Sequence, residues 1–584
     1  MRINKRSQKI IKLSVLLGIF GFWFYLVIDL DVAFNNDMKT LWIHAPSVVE
    51  AENVFNFTVE AWDKYERLAG AYTNEISFSI ESYNISTLSM INSIYELPKD
   101  YKFTSNFFWK GIVPAYKISG ADNGKKAFEA KINTPGIHYI IVKDKDLNKE
   151  FRSNPIIVKP KGSDFKKIFW GDIHGHTLYS DGSGLPEEAY QFARDVALLD
   201  FAALTDHSEH FPRIGDNDVF GEFKNYIRIT NEFNQPNRFV TLVAMEWTPD
   251  YIVRGDDVAN GHLNFYFEGG DMPFFSTLTH QNPYDLYDYV RKNSKSRFMA
   301  WTHHTNMGQF GSDFAFYDEK INRLVEIYSI HGSSETYGDD NLVHPVGEIQ
   351  EPGYSVRDAL RMGRKLGIMS SSDTHDGRLG HSIVHTSANH YNQYPYTLAG
   401  YRLYHRYRGG ITGIFAKKLS RESVFNALYN RSCFASTWVS RPYIEFKING
   451  LSVGINDSTV IVPEKNSTRN IHVLVAADGV SLKADDIVKI TRINIYKNSE
   501  LWKSFDKINS LLFKTNLNDT DDISGTSYDD CIKKNGNWFI HKDSLKSVDP
   551  SELNTNGEDY YYLRAEFSNN AIAWIGPIWI QVKT

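Results

Sequence analysis

Cysteine is nearly absent: the 584-residue chain has two, Cys433 and Cys531. That excludes a disulfide-stapled scaffold and a Cys-rich metal site, which needs about four thiols. Pairing of the two, or two separate thiols, both stay open. An excess of basic charge is lacking too. The formal net charge of -6 argues against a general nucleic-acid or anionic-membrane binder, because either needs a cationic surface. The chain also has no long low-complexity run and no internal repeat, which sets aside a repeat array. Long hydrophobic runs are scarce, with one exception at Leu13 to Ile28, interrupted only by Ser14, Gly18 and Gly21. Arg2, Lys5, Arg6 and Lys9 flank it on one side. A basic flank before an apolar run favours retention of that end in the cytoplasm and translocation of the chain beyond the run. No small-x-small cleavage signature comes next, so residues 1–30 are expected to form an uncleaved signal anchor, with the catalytic region exported and the membrane as a partner. Cleavage near Asp29 to Phe34, giving a secreted protein, is the alternative.

What is present is an ordinary globular composition, 42% hydrophobic and 23% charged, with aromatics high at 14%. At about 100–200 residues per domain the length implies several units. Residues 38–162 show short alternating runs such as Val54-Phe55-Asn56-Phe57-Thr58-Val59 between Gly, Asn, Asp and Pro, the pattern of a β-sandwich. Pro160-Lys161-Gly162-Ser163 marks a boundary. Over 164–440 strand-like runs are followed by helical ones, as in Pro186 to Leu199 before Asp200-Phe201-Ala202-Ala203-Leu204. That alternation predicts an α/β unit with a largely parallel sheet or barrel. The β texture returns over 441–584, which predicts a second β-sandwich.

In the middle unit, one predicted strand after another ends in a side chain able to bind metal. The run after Ile168-Phe169-Trp170 reaches His174 and His176, and Phe201 to Thr205 runs into Asp206-His207. Phe239 to Met245 runs into Glu246, Phe298 to Thr302 into His303-His304, Leu324-Val325 into Glu326, and Ile368-Met369 into Asp373-Thr374-His375. The C-terminal ends of strands in α/β sheets share one face, so these residues should converge. His174 and His176 point the same way on a strand, as do Asp373 and His375. Imidazoles and carboxylates suit Zn²⁺, Mn²⁺ or Fe, and a carboxylate such as Glu246 can bridge two ions. Adjacent His303 and His304 should face opposite sides, leaving one as ligand and the other for substrate or packing. Glu326 could orient a ligand imidazole, His331 and Glu335 could touch substrate, and Arg378 could clamp an anion. His344, His405 and His541 follow no strand-end rule and read as ordinary.

The H-x-H-T-x-x-S-D-G opening, Thr205-Asp206-His207, the Glu after an apolar strand, the later His and the closing Ser372-Asp373-Thr374-His375 together resemble the PHP superfamily, the polymerase and histidinol phosphatase hydrolases. "EIYSIHGSSE", "GIMSSSDTHDGRLG" and "GGITGIFAKKLSRESVFNALYNRSCFAST" are similar to a PHP branch long catalogued only as a domain of unknown function. The resemblance covers roughly Asp164 to Gly454. It implies a distorted (β/α)7 barrel with two or three divalent ions, flanked here by the two sandwiches. It implies metal ligation by His174, His176, His207, Glu246, His303 or His304, Asp373 and His375, with His262 as a further ligand and Asp181 as either a ligand or a residue supporting one; Asp181, His304 and, by its guanidinium chemistry, Arg378 are the catalytic or substrate-facing candidates. The function expected is metal-dependent hydrolysis of a phosphoester in a small molecule or an extracellular polymer. Hydrolysis of a C–N or C–O bond, or a surface binding protein with a merely structural metal, are the alternatives.

Overall fold

The computed structural model of the protein describes residues 12–19, 21, 35–107, 114–211, 219–249, 261–307, 311–337, 352–384, 407–483, 486–540, 542, 544, 546–555 and 557–584. His344, His405 and His541 lie outside them. Two β-sheets form the N-terminal sandwich, one ordered Met38–His44, Val54–Asp63, Lys125–Ile132, Tyr95–Glu96, the other built around Gly136–Asp144. The strand Val54–Asp63 alternates between exposed and buried positions at its start, then is buried throughout from Val59 to its end. The change marks where the sandwich stops facing water and meets the middle unit, as when the buried Trp62 stacks on His381 with ring centroids 4.4 Å apart.

The middle unit departs from the expected barrel. Among the described residues strand outweighs helix, 39% to 14%, and no closed seven-stranded barrel forms. Lys167–Asp172, Phe201–Ala202 and Val240–Thr241 pair in parallel, the beginning of a half-barrel, and Leu324–Ser329 pairs in parallel with Gly367–Ser370 in a different sheet. Lys167–Asp172 then pairs antiparallel with Gly410–Ala416, and that sheet continues through Cys433–Thr437 into Ile572–Val582, Asp559–Phe567, Ile490–Lys497 and Glu500–Ser510. One sheet therefore runs from the middle region into the C-terminal one. Val243–Trp247, Leu263–Phe267 and Phe298–Thr302 form a separate antiparallel sheet, and Gly332–Ser333, Leu324–Ser329 and Gly367–Ser370 a third. Leu263-Asn264-Phe265-Tyr266-Phe267 is buried at every position. Such a run reads as a parallel strand, yet here antiparallel neighbours cover both its edges. The parallel bridges Gly175↔Thr374 and His207↔Glu246 stitch these separate sheets together. Both fall among the candidate ligands, so the site occupies the seam where the sheets meet.

The helices Pro186–Asp195 and Pro283–Asn293 each begin on a proline. Pro186–Asp195 has Glu187 and Glu188 in its first turn, and Asn282 caps Pro283–Asn293 by accepting from Asp285 N. The facing sheet Tyr443–Ile448, Arg469–Ala476 and Leu512–Asp519 completes the C-terminal layer, with Ile444, Phe446, Val473 and Val475 buried against Ile493, Ile495 and Leu563. Cys433 is buried in its strand and Cys531 is partly buried elsewhere, and both are free thiols.

The expected membrane anchor is corrected. Among the described residues no helix is long and apolar enough to cross a membrane. Residues 12–19 are helical. The rest of the expected anchor, apart from residue 21, lies outside the described residues. The membrane-bound location that rested on the anchor falls with it.

Candidate metal centre

Glu246 is the penultimate residue of Val243–Trp247, with its carboxylate at the middle of a ring of imidazoles. Its Oε2 lies 3.2 Å from His174 Nε2 and 3.4 Å from His176 Nε2. Its Oε1 lies 3.3 Å from His207 Nδ1, 2.9 Å from His262 Nδ1 and 3.3 Å from His303 Nε2. Asp373 closes the other side, with Oδ1 3.2 Å from His174 Nε2 and 3.1 Å from His176 Nε2. Asp181 Oδ1 reaches His207 Nε2 and His375 Nε2, each at 3.4 Å. Donor atoms thus gather into four overlapping groups, each within 4.8 Å: His176, Asp181, His207 and His375; His174, His176 and Glu246; His174, His303 and Asp373; and His262, His303 and His304.

Neighbouring side chains fix these donors. Glu326 Oε2 lies 2.9 Å from His174 Nδ1, so that nitrogen donates to the carboxylate and Nε2 is left to face the cluster. Asp206 accepts from Thr177 N at 2.7 Å, Thr177 Oγ1 at 2.9 Å and Ser180 Oγ at 2.6 Å, which folds the segment after His176 back and brings Asp181 into the site. Asp172 accepts from Ser372 N at 2.9 Å and from Gly380 N at 2.7 Å, tying the first strand to the loop that carries Asp373 and His375. Asp172 was not among the expected site residues, and Asp206 was expected at its strand end but not as the residue that holds this loop. Both end or follow strands beside a ligand, the same signal that singled out the others.

The backbone explains why His303 and His304 are both in the cluster, against the expectation that they part. The strand Phe298–Thr302 stops one residue earlier, and His304 has φ +34, a left-handed conformation that turns its ring back. Their ring centroids are 4.3 Å apart, and His304 lies 5.2 Å from His331, whose Nε2 is 3.0 Å from Asp373 Oδ2. Asp373 is also left-handed, at φ +56. Strained residues persist only where their surroundings over-determine them, and they gather at functional sites.

Two expected substrate contacts are corrected. Arg378 is buried and turned away from the cluster, with Nε donating to His381 O at 2.9 Å and Nη2 to Glu66 O at 2.6 Å. Glu335 is buried against the C-terminal sheet, bonded to Arg357, Tyr562, Arg564 and Trp574 at 2.8–3.0 Å. Burial and backbone carbonyls claim Arg378, and burial with guanidinium partners claims Glu335, before a substrate could.

The electrostatics suit a cation. Burial opposes charge on Glu246, yet the surrounding imidazoles, His207 and His303 foremost, hold its carboxyl well below the usual range. Asp181 is held low against burial by His207 and His375. Burial pulls His207 down, but Glu246 and Asp181 outweigh it and push it up to about 10. Protons on such imidazoles occupy the place that metal ions take in a site of this composition. His303 is the contrary case: burial lowers it to about 4. Neither of its buried nitrogens makes a hydrogen bond, and the same holds for Oε1 of Glu326. Polar atoms left so in a dry core are costly unless a ligand satisfies them. Buried neutral imidazoles with shared carboxylates are the donor chemistry of Zn²⁺, Mn²⁺ or Fe.

Gly182, which ends the Ser180-Asp181-Gly182 motif, tests how tightly the loop is built. A Cβ there would meet His176 O at 2.2 Å and His176 C at 2.3 Å, backbone atoms that cannot swing aside. Gly182→Ala is expected to displace His176 and Asp181, to cost about 1–3 kcal/mol of stability and to lower metal content. Wild-type metal content by elemental analysis would contradict the loop's role.

Residues 215–338 match the family described as "Protein of unknown function (DUF3604)". Relatives include an "Uncharacterized protein" of Chlamydia muridarum, 24% identical over 554 residues, covering 94% of this chain and 75% of the relative. A second, from Chlamydia pneumoniae, is 24% identical over 560 residues, covering 95% of this chain and 76% of the relative. Among solved structures, PsfC from Pseudomonas syringae PB-5123 aligns over 36% of this chain and 78% of its own, at 14% identity and a TM-score of 0.23.

Proposed function

We propose that the protein is a metal-dependent hydrolase, akin in its site to the PHP enzymes, holding two or three divalent ions and acting on a phosphoester. The observation that carries this reading is the overlap of four donor groups through shared His174, His176 and His303. A structural metal needs one closed set of about four ligands. Overlapping sets, three of them with only three donors, instead suit several ions with positions left for water and substrate. When bound, the ions would supply a water of lowered pKa and neutralise charge on the phosphoryl oxygens.

The chain's own residues do the rest. Glu246 and Asp373 hold the imidazoles in a common space, and Glu326 keeps the His174 ring in one tautomer. Access is from one edge: the side chains of Asp181, His331 and His375 are 24%, 24% and 16% exposed, whereas the remaining donors are below a tenth. Substrate therefore approaches over that edge, with Asp181 and His375 on one side and His331, bonded to Asp373, on the other. Clustered ions favour in-line displacement at phosphorus, because both the entering and the leaving oxygen carry charge in the transition state.

The test is a screen of metal-loaded protein against phosphomonoesters, phosphodiesters, amides and esters, with elemental analysis of the same sample. We expect at least two ions per chain and metal-dependent turnover of a phosphoester. A stoichiometry near zero after reconstitution, or activity that survives metal removal, would sink the reading. Zn²⁺ affinity should also rise with pH. Glu246 and Asp181 push the His207 imidazole up to about 10 against its burial, which favours the protonated ring at neutral pH, and a metal-bound nitrogen has no proton, so binding should release one. Calorimetry in buffers of different ionisation enthalpy measures that release, and finding none at pH 7 would contradict the role of His207.

A further inference from the structure

We propose that Glu66, a residue of the N-terminal sandwich, is a positioning residue for the loop that carries Asp373 and His375, so that metal binding depends on the docked sandwich. The inference rests on the metal reading above. Glu66 lies in the turn after Val54–Asp63, where Asp63 Oδ1 accepts from Tyr65 N at 2.8 Å and Arg67 N at 3.0 Å. The turn holds Glu66 at φ +60 and drives its side chain out of the sandwich into the middle unit. There its carboxylate and carbonyl take five hydrogen bonds. Oε1 accepts from Arg408 Nε at 2.8 Å and Nη2 at 2.6 Å; Oε2 accepts from Trp438 Nε1 at 2.7 Å and pairs with His381 Nε2 at 3.0 Å; the carbonyl accepts from Arg378 Nη2 at 2.6 Å.

Two of these donors, Arg378 and His381, belong to the segment just after His375. From Arg378 the bonds lead back into the site. Arg378 N donates to Asp376 Oδ1 at 3.0 Å, Thr374 Oγ1 donates to the same oxygen at 2.5 Å, and Thr374 O accepts from His176 N at 2.7 Å. Thr374 stands between the two candidate ligands, and Asp373 beside it is in a left-handed conformation that costs free energy to hold. A buried residue anchored at five points, four on its carboxylate and one on its carbonyl, with two of the donors on the loop segment, supplies the rigidity that this conformation needs. Glu66 itself touches none of the donor groups, so its influence on the metal is through the loop alone.

The experiment uses the full chain titrated with Co²⁺ and followed by visible d–d absorption, a direct report on the ligand field. Glu66→Gln keeps the side chain's size and removes its charge. The control is Asp144→Asn, which removes a buried carboxylate bonded to Tyr72 and Asn74 within the same sandwich. We expect Glu66→Gln to weaken Co²⁺ binding at least ~10-fold, the range seen when partners of metal ligands are lost, and to change the spectrum. Asp144→Asn should lower the melting temperature without either effect. Should Glu66→Gln fail to fold, Trp438→Phe removes one donor to the same carboxylate and is expected to weaken Co²⁺ binding in the same direction. Wild-type affinity and spectrum in the folded Glu66 or Trp438 variant, or an equal loss in Asp144→Asn, would overturn the proposal alone. A wild-type protein that binds no Co²⁺ would overturn the metal reading and this inference together.

Discussion

Glu246→Gln is expected to strip the site of most of its metal and to slow turnover by at least ~10²-fold, the scale of loss when reacting groups move by about 1 Å. Glu246 is within 3.4 Å of five imidazoles, His174, His176, His207, His262 and His303. Glutamine fills the same volume but offers one neutral oxygen in place of a shared anionic pair, so the groups that meet at Glu246 lose their bridge. The metal-free protein should stay folded, because Val243 to Trp247 keep their buried contacts. Glu326→Gln is the graded comparison: it touches only His174 of the donors and should weaken metal binding by about 10- to 100-fold without abolishing it. Elemental analysis and turnover on the substrate found by screening give both answers. A Glu246→Gln protein with full metal content and wild-type rate would end the case for a catalytic cluster.

The second large effect is on stability, at Glu335→Gln. Glu335 is buried, with Arg564 and Arg357 paired to its two oxygens and Tyr562 and Trp574 donating to them as well. Removing one partner of a buried ion pair leaves the other charge uncompensated and costs roughly 3–5 kcal/mol. The pH dependence comes from the carboxyl. Burial alone would raise it, but Arg564 and Arg357 hold it down to about 2 in the folded protein, against 4.5 as its ordinary value. A depressed folded-state value contributes stability that is fully present above pH 4.5 and is lost as pH falls towards 2. The stability gap between wild type and Glu335→Gln should therefore be full at pH 7 and shrink as pH drops below 4.5. Urea unfolding at a series of pH values measures it. A gap that stays constant from pH 7 to pH 3 would show that the charge on Glu335 is not what stabilises the fold.

Much of the candidate site was legible because ligand chemistry is local. Thr205-Asp206-His207, Met245-Glu246-Trp247 and Ser372-Asp373-Thr374-His375 each place a donor just past an apolar run, and each donor was found in the cluster. The same rule would have found Asp172. The expectation that His303 and His304 face opposite sides failed because the alternation of a strand was extended two residues past the strand's end at Thr302. The expectation of an anion clamp at Arg378, which rested on guanidinium chemistry, failed because its partner Glu66 is 312 residues away in sequence and carries no local mark. The barrel misled for a related reason. The alternation of strand-like and helical runs over 164–440 shows which elements form but not the direction in which distant strands pair.

The sequence by itself determined which side chains could bind a metal, roughly which strands would end in them, and that β-rich regions flank the unit that holds them. These depend on side-chain chemistry and short-range periodicity, which each residue carries wherever the chain folds. Tertiary structure alone decided that the strands divide among separate sheets instead of closing a barrel, that one sheet continues from Cys433–Thr437 into Ile572–Val582, and that His303 and His304 share a site. It alone decided that Glu66 and Glu335 are consumed by guanidinium partners brought from distant segments. Strand pairing and the neutralisation of buried charge are settled by whichever distant group arrives to satisfy them, and no window of sequence contains both halves of such a pair.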